Sequence, residues 1–219
     1  MSKERHDAGE RARRQHGVIT ADPASSAGRS TGQVRALVDS GMGKRRWREA
    51  FTVAGAASFE ADVMVACVAG GPHAMACRGT VARLLGLGRP YFDQAGIEIS
   101  IPRGASARAA RSVGATVHVH RRIDDADRAV IGPIPATSAA RLVVDLLGVT
   151  PVEAVYALAD DLLQRRWTTP AAIRSRWIDA RAVRRDVLDA VLLPWDTTPH
   201  AGTSSHRSAG CACPPDAPT

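Results

Sequence analysis

A chain of 219 residues is long enough to bury one large core or two small ones. With 45% hydrophobic and 23% charged residues, its composition excludes disorder as the general state. The net charge of +7 points to an acidic partner, nucleic acid first, against the plainer alternative of a basic surface that binds nothing.

The charge is unevenly spread. Residues 1–50 carry 11 Lys and Arg against 6 Asp and Glu, residues 51–195 carry 17 against 14, and the last 24 carry 1 against 2. Only Lys3 and Lys44 are lysines, so the positive charge is almost all arginine and a catalytic lysine has few places to be. No run of about 18 apolar residues reads as a membrane span. The opening "MSKERHDAGERARRQHG" lacks the apolar segment of a secretory signal, so a cytoplasmic protein with no membrane partner is expected. Cys67 and Cys77 lie in apolar segments and read as buried free thiols.

Along the chain, Glu4 to Gln15 reads as a short arginine-rich helix stopped by Gly17, and "GVIT" as a brief β-prone run. Asp22 with Pro23 starts a second short helix that Gly28 ends. Ser30 and Gln33 have the spacing of a capping box and Gly41 of a C-terminal stop, so Ser30 to Gly41 reads as a third helix. Val34, Leu37 and Val38 share one of its faces and Arg35 lies on the other. In "KRRWREAFTVAGA", two short strands joined near Arg48 to Ala50 would make a basic ribbon. Helix, turn, helix and basic ribbon is the order of a winged helix-turn-helix, in which one helix reads the major groove and the ribbon touches phosphate.

From Phe59 the pattern changes. "FEADVMVACVAGG" predicts an apolar helix closed by Gly70 and Gly71, and "ACRGTVARLLGLG" a second helix with Val81, Leu84 and Leu85 on one side. "IEISIP" predicts a strand with Ile97, Ile99 and Ile101 inward. "TVHVH" predicts another, with Val117 and Val119 inward and His118 and His120 facing solvent. "IPATSAARLVVDLLGV" reads as a turn, an N-cap at Thr137 or Ser138, and a helix in which Arg141 and Asp145 form an i,i+4 ion pair. Helices are expected over Pro151 to Gln164, Thr168 to Ala180 and Ala182 to Leu193. Past Trp195 the Pro, Ser, Thr and Gly content is too poor in apolar groups to offset ordering entropy, and the tail reads as disordered.

Few residues suggest chemistry. His118 and His120 are spaced like two metal ligands near Asp124, Asp125 and Asp127, but a solvent-facing strand beside a charged turn is the stronger explanation. Cys211, Cys213, His200 and His206 have weak metal-site spacing. No nucleophile elbow, zinc-protease or phosphate-loop motif occurs, and Asp160 and Asp161 diverge by about 100° on a helix. No lysine follows Lys44, so the carboxylate-and-lysine constellation of a common nuclease type is absent. No catalytic residue, metal or cofactor is expected.

"RQHGVIT", "STGQVRALVDSG", "KRRW", "FTVAGA", "GPHAMACRGTVARLLGL" and above all "IPATSAARLVVDLLG", in that order between Arg14 and Ala180, resemble the bacterial AbiEi-type antitoxins of type IV toxin-antitoxin systems. The resemblance implies an α+β fold: an N-terminal winged helix-turn-helix over residues 1–57, an α+β antitoxin domain over 58–195, and a tail from 196. It implies operator DNA and a nucleotidyltransferase-like toxin as partners, and repression of the chain's own operon. The positions expected at DNA are Ser30, Thr31, Gln33 and Arg35 on the third helix and Lys44, Arg45, Arg46 and Arg48 in the wing.

The chain departs from the family pattern at "REAFTV", where a Gly-Val-Tyr step is usual, and at Ala76, Cys77 and Arg78, where a Ser-His pair is usual. "DPASSAGRS" is also poor in apolar residues for a packed second helix. The nuclease-like C-terminal domain of longer relatives is replaced by the tail. Two alternatives follow: a toxin- or protein-binding module that has lost operator recognition, or a remnant of a nuclease-fused relative.

Overall fold

A computed structural model of the chain describes residues 18–20, 39–40, 43–47, 50–53, 58–87, 92, 96–120, 122–180 and 184–196. The three helices expected before residue 42 lie outside these residues, apart from helical Asp39 and the turn at Ser40, and so does the tail after Asp196.

Val18–Thr20 (β1), Gly43–Trp47 (β2) and Ala50–Val53 (β3) form an antiparallel sheet in the order β1-β3-β2. The expected β-prone run and basic ribbon are therefore both strands. In β2 the register slips between Arg45, opposite Phe51, and Trp47, opposite Ala50, so Arg46 is the extra residue of a bulge.

Phe59–Gly70 (α1) starts where the Ser58 side chain accepts the Ala61 N–H at 3.1 Å, with Glu60 and Asp62 in the first turn where the helix dipole favours anions. It ends at Gly71, whose φ of 97° needs glycine. Ala61, Val63, Met64, Val65, Ala66 and Cys67 are all buried, as befits a helix apolar on every side. α1 packs against strands of the small sheet and of a second, larger one. Gly70 allows that approach: a Cβ there would lie 2.6 Å from the Ala74 Cβ and 2.8 Å from the Ile99 Cδ1.

The larger sheet is mixed, in the order β6-β5-β4-β8-β7, where Met75–Ala76 is β4, Glu98–Pro102 β5, Thr116–His120 β6, Arg128–Ile131 β7 and Ile134–Thr137 β8. β5 and β6 run parallel through a crossover carrying a short helix, Arg108–Ser112, and β7 and β8 form a hairpin around Gly132 at φ 57°. β4 joins the halves, antiparallel to β5 and parallel to β8. Arg78–Leu84 (α2), Arg108–Ser112 (α3), Ala139–Leu146 (α4), Val152–Gln164 (α5), Pro170–Ala180 (α6) and Arg185–Asp196 (α7) complete a mixed α+β fold. Among the described residues no helix is long and apolar enough to cross a membrane.

Three expectations are corrected. "IPAT" is not a turn but the interior strand β8, with Ile134 and Ala136 buried; its Pro135 lacks the N–H of a ladder, but the neighbour β4 pairs with β8 at Ala136 alone, so little pairing is lost. β5 does not alternate: Ile99, Ser100 and Ile101 are all buried, because the strand lies between two neighbours with both faces covered. β6 departs from expectation in part: Val117 packs partly buried against the core as expected, but Val119 is 54% exposed, and His118 and His120 point into partnered, half-buried surroundings instead of solvent.

Candidate nucleic-acid interface

Of the eight residues expected at DNA, the structure places three on one strand. Lys44 and Arg46 are exposed on β2, and Arg45 lies between them in sequence, opposite Phe51 of β3. Ser30, Thr31, Gln33, Arg35 and Arg48 lie outside the described residues. A strand of an antiparallel ribbon carrying adjacent cations is suited to phosphate contact, which needs charge and loose geometry rather than a precise fork. Arg46 also has a partner within the protein: its guanidinium pairs with the Asp62 carboxylate in the first turn of α1. The bulge at Arg46 and this ion pair tie the ribbon to α1, and part of the ribbon's charge is neutralised there.

The densest polar cluster lies elsewhere, between β6, α4, α6 and the short turn at Asp125–Asp127. Arg141 is 6% exposed and is held on three sides. Its Nε donates to Asp145 Oδ1 at 2.7 Å, its Nη1 lies 3.3 Å from Asp127 Oδ2, and its Nη2 donates to His120 Nδ1 at 2.8 Å. Burial opposes its charge, yet Asp145 and Asp127 together hold its proton more firmly than an ordinary arginine's. Arg176 stands 3.8 Å from both Asp124 and Asp127 and closes the other side. The i,i+4 pair expected between Arg141 and Asp145 is present, but in the interior.

This arrangement disposes of the carboxylate turn as a shared metal site. Asp127 is 3% exposed and committed to two guanidiniums, Asp125 projects into solvent, and Asp124 forms a reciprocal cap with Asp127, whose Oδ2 accepts the Asp124 N–H at 3.0 Å. Among the described residues no three His, Cys, Asp or Glu side chains come together as a metal would need. His118 instead bonds Glu98 through its Nε2 at 2.9 Å, while the other Glu98 oxygen accepts the Gly79 N–H at 3.0 Å. Asp160 and Asp161 each serve a neighbour on α5, accepting from Gln164 and Arg165.

Cys67 and Cys77 are buried free thiols, as expected. Burial pushes the Cys67 thiol up to about 12, and burial together with Asp145 and Glu98 raises Cys77 as well, so neither is a nucleophile at neutral pH. Cys211, Cys213, His200 and His206 lie outside the described residues.

Asp62 and Glu98 were not anticipated from sequence, since each meets its partner across many intervening residues; Arg176 pairs locally with Asp179, and its approach to Asp124 and Asp127 was equally unforeseen. Burial of Arg141 was not legible: by sequence its helix has an apolar side and a polar one, with Arg141 and Asp145 four apart on the polar side, and only the structure shows that side covered. Comparison of the chain with protein-family models and with curated proteins gave no match.

Proposed function

We propose that the chain is a DNA-binding, antitoxin-like regulator of a toxin-antitoxin operon, with no catalytic step of its own. The observation that carries the reading is the strand order β1-β3-β2 with exposed Lys44 and Arg46 on β2. In a winged helix-turn-helix the reading helices fall between the first and second strands, and residues 21–42 occupy that interval here, ending close to a helical Asp39. The excess of basic residues in the first 50 supports electrostatic docking through the wing, with base reading left to the helix expected from the sequence around Arg35. Neutralisation of a nucleotidyltransferase-like toxin is the function that the sequence resemblance adds. It would fall to the α+β domain.

A second reading, a protein-binding module without operator recognition, is favoured by one observation: Arg46 spends its charge on Asp62. Binding of the purified chain to its own upstream DNA and to a scrambled duplex, across a salt series, separates the two. The regulator prefers the native duplex; Arg35→Ala removes roughly ten-fold or more of that preference. Replacing Lys44, Arg45 and Arg46 together by alanine weakens both duplexes and flattens the salt dependence by about one unit of slope per lost phosphate contact. Equal or absent binding to both duplexes sinks the regulator and leaves the protein-binding module.

A further inference from the structure

We propose that His120 is a proton-operated latch: its unprotonated Nδ1 holds the Arg141 guanidinium, and proton uptake breaks that bond and loosens the end of β6 from α4. The geometry leaves His120 one role. Arg141 Nη2 is a donor under all conditions, so the atom it meets at 2.8 Å must be an acceptor, which fixes the ring with Nδ1 bare and the hydrogen on Nε2. A protonated ring would present N–H to N–H. Arg141 cannot retreat, because Asp145 and Asp127 already hold its other nitrogens.

Every charged group around the ring bears on the outcome. Burial is the strongest influence and favours the neutral ring; Arg141 on α4, Arg78 at the start of α2 and His118 on β6 add to it, and only Asp145 pulls the other way. Asp127 and Glu98 act at one remove, occupied with Arg141 and His118. The other ring nitrogen, Nε2, is buried and has no hydrogen-bond partner among the described residues. The latch spans three elements: the end of an edge strand, the Asp125–Asp127 turn and the centre of α4.

The sign follows from proton counting. A histidine whose proton affinity falls on folding binds fewer protons in the folded chain than in the unfolded one. Stability is therefore complete above the ordinary value of 6.5 and is lost as pH drops below it towards the lower folded value.

The test uses the full chain. Nitrogen-15 NMR at pH ~7.5 reads the tautomer directly, and a titration down to pH ~5 gives the midpoint. The expected result is a proton on Nε2 alone and a midpoint below 6.5. Melting temperatures of wild type and His120→Asn over the same range give the second reading, since asparagine offers an acceptor oxygen near the Nδ1 position and does not titrate. The wild type loses melting temperature on acidification and His120→Asn loses less. A proton on Nδ1, a midpoint at or above 6.5, or parallel melting curves in a folded variant overturns the latch. The NMR result stands even if the variant fails to fold.

Discussion

Asp127 sits between two guanidiniums with almost none of its surface in water, and it also closes the turn that carries it. Removing one member of a buried ion pair costs about 3–5 kcal/mol where the other charge is left unanswered, and since Arg141 keeps Asp145 and Arg176 keeps Asp179 the loss here falls at the low end, about 3 kcal/mol. Asp127→Ala should lose that much in urea unfolding, whereas Asp125→Ala, two residues away and solvent-exposed, should change stability by no more than about 0.5 kcal/mol. Equal losses would mean that the cluster contributes nothing beyond the turn. In sequence the two aspartates look alike, because "DDAD" carries no signal of which carboxylate faces the interior. That choice is made by Arg141 and Arg176, which arrive from helices that no local pattern connects to the turn. The same holds for Arg46, whose basic run was plain in the sequence while its partner Asp62 was not.

At the scale of elements, three helices end in the same way. After α2, α3 and α5, the second residue past the helix takes a left-handed conformation, its N–H and the next one reaching back to carbonyls in the last turn. Gly86 and Gly114 fill that place in the first two, and Arg166, at φ 58°, fills it in α5. Left-handed backbone costs a side-chain-bearing residue about 1–2 kcal/mol, part of which glycine returns as lost chain entropy. Arg166→Gly should therefore raise stability by up to about 1 kcal/mol and Arg166→Val should lower it, read as opposite shifts in melting temperature. The reverse order would show that the arginine side chain, exposed though it is, stabilises the helix end more than glycine would. Helices were the legible part of this chain: Gly71 closes α1 and Ser138 caps α4 where the sequence offered them, while the Ser58 cap of α1 was not anticipated. The short strands of the larger sheet were not: β4 has two residues, β7 and β8 four each, and none has the basic run and turn that marked the ribbon of β2 and β3.

For the molecule as a whole, α1 is the shared wall between the basic ribbon and the larger sheet, so both sequence-defined regions draw on one apolar helix. The α+β class and the order of the main helices could be read from periodicity and caps. The topology of the larger sheet could not, because it depends on β4, and β4 is held by pairings distant in sequence: Met75 and Ala76 to Ser100 and Ile99, and Ala76 to Ala136. The parallel unit β5-α3-β6 and the β7-β8 hairpin are each short in sequence and can assemble separately. β4 bridges the two, and loop-closure entropy favours its seating after both: the sheet would then close in time like a keystone, at its shortest strand. Ala76→Gly should accordingly speed unfolding and leave the folding rate nearly unchanged, a φ-value close to zero, while substitutions in the β7-β8 hairpin slow folding itself. Stopped-flow kinetics that gave Ala76→Gly the slower folding limb would place β4 in the nucleus instead.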